Sequence, residues 1–221
     1  MRYERKFTIQ ALSIYEVEYL IRKNPLCFYE VFHPRYINNI YFDTIRRKSW
    51  HENTEGDTNR VKARIRWYGE FLGNINSPAL EFKVKQGLLG KKPTYKLCDF
   101  ILDSNTSKNK FHDIFNESSI PDAMLQYLLK LEPAVANRYN RKYYLSHNKK
   151  FRLTLDTDLA YYRINSATSN FKKLYKDDDS VILEIKYEKE DDKLVDEITN
   201  SFPFRVNKKS KYVTGLLKTK F

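Results

Sequence analysis

Hydrophobic and polar residues alternate one by one in short segments along much of the chain. A period of two places the apolar side chains on one face of a β-strand, so each such segment predicts a strand with one buried and one polar face. The segments that predict strands are Glu4–Ile9, Ile37–Asp43, Val61–Trp67, Leu80–Lys85, Leu97–Leu102, Phe151–Asp156 and Val181–Glu188. The chain is therefore expected to be rich in β-structure.

Helices are predicted at a few places between these strands. Ser13-Ile14-Tyr15-Glu16 has the Ser-x-x-Glu spacing of a capping box, and the helix that it opens should end at Asn24-Pro25. The polar stretch Asn105–Ser119 shows little periodicity and predicts a loop or linker. The other predicted helices are Pro121–Leu131, Asp192–Ser201 and Lys208–Lys218.

Length and composition narrow the class of protein. The 221 residues suit one large domain or two small ones, of which a single domain over residues 1–221 is predicted, and 41% hydrophobic residues argue for a folded globular chain. No apolar run approaches the roughly 18 residues of a membrane span, and the N-terminus does not resemble a signal peptide. A cytoplasmic protein is expected. Two distant cysteines and four unclustered histidines argue against a disulfide framework and a zinc site.

The formal net charge of +12 indicates a polyanionic partner: nucleic acid, an anionic membrane surface or a phosphate-rich ligand. Lys62, Arg64 and Arg66 alternate with apolar residues and share one strand face, although neighbouring like charges repel. From this pattern alone, an ordinary solvated face and an anion-binding surface both remain open. The run Arg46-Arg47-Lys48 is interpreted as solvated charge.

A closed sheet would reconcile the two faces of these strands. In a barrel of about eight strands, inward and outward side chains alternate, so the basic rows would converge on one lumen while the apolar rows met covering helices. Phosphates in such a lumen would receive charge-assisted contacts from arginine and lysine. Acids that stand two residues before a lysine, at Glu4, Glu81 and Glu184, would orient the lysines or hold a divalent cation.

Eight short motifs follow one another along the chain. Those of the first half are Arg2-Tyr3-Glu4-Arg5-Lys6, Tyr41-Phe42-Asp43-Thr44, Lys62-Ala63-Arg64-Ile65-Arg66 and Glu81-Phe82-Lys83. Those of the second half are Tyr139-Asn140-Arg141, Arg152-Leu153-Thr154-Leu155-Asp156, Glu184-Ile185-Lys186-Tyr187 and Ser210-Lys211-Tyr212. In this order they resemble the VTC domain, the polyphosphate polymerase module of the vacuolar transporter chaperone complex and its bacterial relatives, within the triphosphate tunnel metalloenzyme (CYTH-like) superfamily.

The resemblance implies an α+β fold, an eight-stranded antiparallel β-barrel tunnel with flanking helices that binds a triphosphate or polyphosphate chain. The residues that would grip phosphate, carried over motif by motif, are Lys6, Arg64, Arg66, Lys83, Lys92, Arg152, Arg163, Ser210 and Lys211. Lys91 is the alternative to Lys92, because the match leaves one residue of slack. The residues assigned to catalysis are Lys6, Arg64, Arg66, Lys83, Arg152 and Lys211. Glu184 would bind Mn²⁺ or Mg²⁺, hard cations that prefer oxygen ligands.

The activity that the resemblance implies is transfer of the γ-phosphate of a nucleoside triphosphate, ATP, to a growing polyphosphate chain. Arg2 stands where hydrolytic members of the superfamily have the first Glu of Glu-x-Glu-x-Lys, which favours the polymerase branch. Since the acceptor is already anionic, no general base is required, and the sequence has neither a P-loop nor a nucleophile beside a base.

Other functions stay open. The same domain would serve as a non-catalytic module that binds polyphosphate or a nucleotide, or as a metal-dependent triphosphatase. Nucleic-acid binding is disfavoured, because no recognition helix or aromatic stacking motif is present. Whether a membrane-bound partner protein receives the product is left open by the sequence.

Overall fold

Strands and helices alternate along the part of the chain that the structure describes. The structure is a computed structural model, and it describes residues 2–87, 89–103, 106–164, 171–207 and 209–219. The strands are β1 (Arg2–Ile9), β2 (Tyr29–Asp43), β3 (Asn59–Tyr68), β4 (Gly73–Ile75), β5 (Ala79–Gln86), β6 (Leu89–Lys91), β7 (Thr94–Lys96), β8 (Phe100–Leu102), β9 (Glu132–Leu145), β10 (Arg152–Ile164), β11 (Phe171–Asp177) and β12 (Val181–Glu188). The helices are α1 (Ile14–Lys23), α2 (Lys48–Thr54), α3 (Lys108–Glu117), α4 (Asp122–Leu128), α5 (Asp192–Asn200) and α6 (Lys211–Thr219).

Most of the predicted strands lie within an observed strand with at most one residue outside it, although β2 begins eight residues before Ile37 and β10 ends eight residues after Asp156. The exception is Leu97–Leu102, of which only β8 is strand. The amide of Leu97 still donates to Pro78 O, but the amide of Cys98 donates to the hydroxyl of Ser118, so the pairing with β5 ends here.

The four predicted helices correspond to α1, α4, α5 and α6, whereas α2 and α3 were not predicted. At the start of α1, Ser13 Oγ accepts from the amide of Glu16 and the Glu16 carboxylate accepts from the amide of Ser13, which is the predicted capping box. The loop predicted over Asn105–Ser119 is wrong from residue 108 onward, where α3 begins after its cap Ser107; Asn105 lies outside the described residues. None of the described helices has the length and apolar character that crossing a membrane requires.

The strands form one large sheet and one separate pair. The hydrogen-bonding order along the ten-stranded sheet is β1-β12-β10-β9-β2-β3-β5-β6, with β11 beside β10 and β7 beside β5, while β4 pairs with β8. The strand pairs β1–β12, β10–β12, β2–β3 and β3–β5 are antiparallel. Within the described residues no pairing joins β1 to β6, so the predicted closure into an eight-stranded barrel is wrong. The terminal strand β6 is only three residues long, and all three residues pair with β5.

The chain divides into two compact units, to both of which β2, β9 and β10 contribute. The first unit comprises residues 2–35, 139–159 and 177–209, and the second comprises residues 36–138, 160–176 and 210–219. Neither unit is a continuous stretch of chain. The single domain predicted over residues 1–221 stays a prediction.

Each unit has a core built from the apolar faces of its own strands. In the first unit, the apolar side chains of β1, β10 and β12 pack with those of α1 and α5; among the most buried are Phe7, Val17, Leu153, Leu183 and Val195. In the second unit, those of β2, β3 and β5 pack with α3 and α4; among the most buried are Ile40, Ile65, Phe82, Phe111 and Leu128. Because side chains alternate along a strand, Lys6, Arg64 and Glu184 lie on the opposite face of their strands from these apolar side chains.

Candidate functional site

One face of the sheet in the second unit collects several of the predicted phosphate-binding side chains. The register places Arg64 of β3 opposite Tyr41 of β2 on one side and opposite Glu81 of β5 on the other. Arg66 lies opposite Asn39. Residues that face each other across antiparallel strands point to the same side of the sheet, so these five side chains share one face.

Glu81 is the carboxylate on which the cations of this face converge. Arg64 Nη2 lies 2.6 Å from Glu81 Oε2, and Arg64 Nε donates to the same oxygen at 2.8 Å. Arg66 Nη1 and Lys92 Nζ lie 3.7 Å and 2.7 Å from Glu81 Oε1. The Glu81 side chain is only 8% exposed. We call Arg64, Arg66, Glu81 and Lys92 the Glu81 cluster.

Electrostatics keep the Glu81 carboxylate ionised. Burial alone would raise its pKa, but the guanidinium groups of Arg64 and Arg66 and the ammonium of Lys92 lower the pKa of Glu81 to about 2. Burial and the two neighbouring arginines lower the pKa of Lys92, against the opposing effect of Glu81. Three cations and one carboxylate leave two positive charges in excess, which makes the cluster attractive to an anionic ligand.

Two buried asparagines orient the guanidinium of Arg66. Arg66 Nε donates to Asn39 Oδ1 at 3.0 Å, and Asn39 Nδ2 donates to Asn137 Oδ1 at 2.8 Å. Asn137 Nδ2 is buried and has no hydrogen-bond partner among the described residues. Since buried amide donors are nearly always paired, Asn137 can donate to a ligand or a water molecule on this face. The sequence analysis assigned no role to either asparagine; the one available signal was that Asn39 alternates with Tyr41 on β2.

A second polar group of the same unit joins Lys62 to Ser210. Lys62 Nζ donates to Asn53 Oδ1 and, at 3.3 Å, to Ser210 Oγ. Ser210 directly precedes α6, whose first residue is Lys211. The structure therefore brings a predicted phosphate-binding hydroxyl to a lysine for which the sequence suggested no individual role.

The remaining predicted residues of this unit lie outside the Glu81 cluster. Lys83 is exposed and lies opposite Lys62 in the ladder between β3 and β5. Arg163 is exposed on β10, and Lys211 is half-buried. Lys92, the preferred member of its pair, contacts Glu81, whereas Lys91 is exposed on β6. The phosphate-binding roles of these residues stay predictions.

The first unit has a charged face of its own on β1, β10 and β12. The register places Lys6 opposite Glu184, and Lys6 Nζ lies 3.8 Å from Glu184 Oε2 and 3.1 Å from Glu4 Oε1. Lys186 Nζ lies 2.9 Å from Glu184 Oε1. This face therefore unites the predicted phosphate ligand Lys6 with the predicted metal ligand Glu184. Arg152 is exposed and lies opposite Lys186.

The surroundings of Lys6 favour its charged form. Burial would lower the pKa of Lys6, but the carboxylates of Glu184 and Glu4 raise it above its ordinary value. On the far side of Glu184, the register places Thr154, whose buried hydroxyl has no hydrogen-bond partner among the described residues. Thr154 is thus a further candidate ligand that the sequence analysis quoted only as part of a motif.

Arg141 and Asp156 form a buried ion pair within the first unit. Arg141 Nε and Nη2 donate to the two oxygens of Asp156 at 2.5 and 2.7 Å, and Asp156 is fully buried. Although burial alone would lower it, Asp156 raises the pKa of Arg141 well above its ordinary value. Two family motifs thus meet in one ion pair that ties β9 to β10.

The carboxylates of the first unit suit a metal ion that phosphate helps to hold. No group of three or more His, Cys, Asp or Glu side chains that could hold a metal occurs in the described part of the chain. Glu184 and Glu4 lie on either side of one ammonium group, that of Lys6. Mg²⁺ in phosphate-processing sites commonly uses one or two carboxylates and takes its other ligands from phosphate and water. This donor set fits such an ion and does not fit a cage made by protein alone.

Nearly the whole chain matches one known protein family. The family model of the VTC domain matches residues 1–220. The chain belongs to the VTC domain family. The resemblance inferred from the order of eight motifs is thereby confirmed over nearly the whole sequence.

Two solved structures are similar to this VTC domain in fold. The PH1819 protein from Pyrococcus horikoshii OT3 superposes with a TM-score of 0.52 at 15% identity, covering 99% of this chain and 100% of its own. A proposed adenylate cyclase from Vibrio parahaemolyticus superposes with a TM-score of 0.50 at 9% identity, covering 96% of this chain and 97% of its own. No curated protein sequence matches the chain.

Part of the basic excess of the VTC domain lies away from both charged faces. Arg46 and Lys48 are exposed, and Lys48 Nζ lies 3.7 Å from Glu52 Oε1 on the next turn of α2, as expected for solvated charge. Arg47 departs from that interpretation. It is half-buried with φ of 55°, and its Nη1 is buried without a hydrogen-bond partner among the described residues.

Proposed function

We propose that this VTC domain is a polyphosphate polymerase-like enzyme that transfers the γ-phosphate of ATP, or of another nucleoside triphosphate, to a growing polyphosphate chain. The observation that carries the proposal is the Glu81 cluster, in which three cations converge on one buried carboxylate. Membership of the VTC family supports it. A nucleoside triphosphate and polyphosphate are proposed as the binding partners.

The chemistry needs positioning and charge neutralisation more than proton transfer. The bond from the γ-phosphorus to the bridging oxygen breaks, a new bond forms to a terminal oxygen of polyphosphate, and the nucleoside diphosphate leaves. Arg64 and Arg66 offer planar guanidinium groups that contact two phosphate oxygens at once, and Lys92 offers a compact ammonium. The charge of the transition state lies largely on the phosphoryl oxygens, where such donors stabilise it.

The first unit supplies the carboxylates for a metal ion in this proposal. Glu184, with Glu4 beside it, would hold Mn²⁺ or Mg²⁺ together with phosphate oxygens. When bound, the ion would supply Lewis-acid stabilisation of the negative charge on phosphate. Further phosphate contacts are proposed for Lys6, Lys83, Arg152, Arg163, Ser210 and Lys211.

The deciding experiment is incubation of the full chain with ATP and Mn²⁺. We expect acid-stable polyphosphate to accumulate together with ADP. Release of inorganic phosphate without polymer would overturn the polymerase in favour of a triphosphatase. Absence of turnover with retained binding of tripolyphosphate, measured by calorimetry, would instead identify a binding module.

A matched pair of variants tests whether the Glu81 cluster binds the phosphates. Arg66→Ala should weaken tripolyphosphate binding by about tenfold or more, because it removes hydrogen bonds to a charged ligand. Arg46→Ala removes the same charge from an exposed position outside the cluster, and its dissociation constant should stay within about twofold of the native value. Equal weakening by both substitutions would contradict a defined site.

A second pair tests the metal ligand. Glu184→Gln keeps the shape of the side chain but removes its charge, so it should abolish synthesis while tripolyphosphate still binds. Mn²⁺ retention in the presence of tripolyphosphate, followed by electron paramagnetic resonance, should fall in the same variant. The exposed Glu190 lies in the same unit, and Glu190→Gln should leave both measurements unchanged. Native Mn²⁺ binding by Glu184→Gln would exclude the assigned role.

A further inference from the structure

Tyr41, Asp43 and Tyr212 belong to family motifs, yet the proposed phosphate site gives none of them a role. All three are buried in the second unit. Tyr212 OH donates to Asp43 Oδ2, and the ring centroids of Tyr212 and Tyr41 lie 5.3 Å apart. Apolar residues would fill the same volume without the cost of burying a carboxylate. The polar character of this contact therefore calls for a specific function.

The carboxylate of Asp43 accepts hydrogen bonds from groups of two helices, α2 and α6. Its Oδ1 accepts from the backbone amides of Thr44 at 2.7 Å and Ser49 at 2.9 Å. Its Oδ2 accepts from the amide of Trp50 at 3.2 Å and from the hydroxyl of Tyr212. One fully buried carboxylate thus fixes the first turn of α2 to the first turn of α6.

The first turn of α6 is where two predicted phosphate ligands lie. Tyr212 directly follows Ser210 and Lys211 in the sequence. Lys62 Nζ lies 3.3 Å from Ser210 Oγ and 5.7 Å from the centroid of the Tyr212 ring. A shift of the Tyr212 ring would therefore move Ser210 and Lys211 relative to Lys62.

Tyr41 links Tyr212 to the Glu81 cluster. Tyr41 OH accepts from Arg64 Nη1 at 3.2 Å, while its ring packs against that of Tyr212. The pair of tyrosines thus contacts Arg64, a predicted phosphate ligand on β3, and its member Tyr212 directly follows the predicted ligand Lys211 in the sequence.

We propose that Asp43 and Tyr212 are positioning residues of the phosphate site, which hold Ser210 and Lys211 in place before the ligand arrives. This inference rests on the proposed function and deepens it. Burial, reinforced by the charge of Asp43, raises the pKa of Tyr212. The tyrosine hydroxyl therefore remains a hydrogen-bond donor at neutral pH.

Tyr212→Phe tests the inference, because it deletes the hydroxyl and keeps the ring. Two measurements on the full chain are needed: hydrogen exchange of the backbone amides at the start of α6 without ligand, and the tripolyphosphate dissociation constant from calorimetry. We expect faster exchange and a dissociation constant raised about fivefold, the size of one lost hydrogen bond. The double variant Ser210→Ala with Tyr212→Phe should weaken binding by less than the two single effects combined, because the two substitutions share the contact made by Ser210.

Tyr144→Phe is the matched control, since Tyr144 is a buried tyrosine of the first unit; it should leave both measurements native. Native exchange and binding in Tyr212→Phe would overturn the inference, as would loss of thermal stability with unchanged affinity, or a weakening that adds fully to that of Ser210→Ala. If the native protein does not bind tripolyphosphate, the proposed function fails. The exchange measurement then decides by itself whether Tyr212 positions the start of α6.

Discussion

Replacement of Glu81 by glutamine is the most direct test of the electrostatics of this VTC domain. The substitution keeps the size of the side chain and removes the charge that Arg64, Arg66 and Lys92 share. The three cations would then lose the carboxylate that they share. We expect the ligand-free protein to lose stability, since a buried or half-buried charge that loses its partner is strongly unfavourable.

The size of the loss follows from the pKa of Glu81. A carboxyl whose pKa falls from 4.5 to about 2 on folding stabilises the folded chain by about 3 kcal/mol at neutral pH, at about 1.4 kcal/mol for each tenfold change in acidity. The Lys92 side chain is 51% exposed, so solvent screens its share of the interaction. With that discount we expect Glu81→Gln to lower the free energy of unfolding by about 2 kcal/mol.

The contribution of Glu81 to stability should depend on pH. Because folding lowers the pKa of Glu81, its stabilising contribution is complete above pH 4.5 and is lost as the pH falls toward 2. The difference in unfolding free energy between native protein and Glu81→Gln should therefore be constant near neutrality and shrink to about half or less by pH 3. Urea unfolding followed by circular dichroism measures this difference directly.

The control is another glutamate of the same unit. Glu70 is 85% exposed and lies 3.6 Å from Arg138, so Glu70→Gln should change stability by less than about 0.5 kcal/mol. Tripolyphosphate should raise the melting temperature of Glu81→Gln more than that of the native protein, because the ligand restores the missing negative charge. The reasoning is refuted if Glu81→Gln unfolds like Glu70→Gln, or if its deficit is the same at pH 3 as at pH 7.

Two further substitutions test the framework that supports the charged faces. Arg141→Met removes the guanidinium that contacts the buried Asp156 and should cost about 3–5 kcal/mol in urea unfolding; a loss under about 1 kcal/mol would contradict the role of this pair. In Gly215→Ala, the new Cβ would lie 2.9 Å from Tyr161 Cδ1, so thermal unfolding should show about 1–3 kcal/mol of destabilisation despite the better helix propensity of alanine. Gly90→Ala, whose Cβ would meet nothing closer than 3.9 Å, is its control and should be close to neutral.

The alternation of side chains made the strands predictable, but it could not provide their register. The row Lys62, Arg64 and Arg66 looks wholly cationic along the sequence, whereas in the sheet Arg64 lies opposite the acid Glu81. A slip of one residue would bring a different set of side chains together, and the register depends on the connection between β3 and β5. That connection includes β4, which the sequence pattern did not reveal.

The parts of the fold that the sequence missed depend on distant partners. Helix α2 has only seven residues and is capped by Asp43, which is in turn bound by Tyr212 from the far end of the chain. The sequence around α2 contains no pattern that predicts such a cap. Helix α3 was predictable in principle, since Phe111, Ile114 and Phe115 recur at helical spacing, but the polar residues around them outweighed that signal.

The two charged faces differ in balance, and the difference suits two different tasks. The Glu81 cluster holds three cations and one carboxylate, so it retains an attraction for anions after its internal contacts are made. On the face of the first unit, the ammonium groups of Lys6 and Lys186 are matched by two carboxylates, Glu4 and Glu184. A phosphate that draws these lysines away would weaken the ion pairs of both carboxylates, which favours the binding of a divalent cation. Phosphate binding and metal binding should therefore strengthen each other, and either one measured alone should look weak.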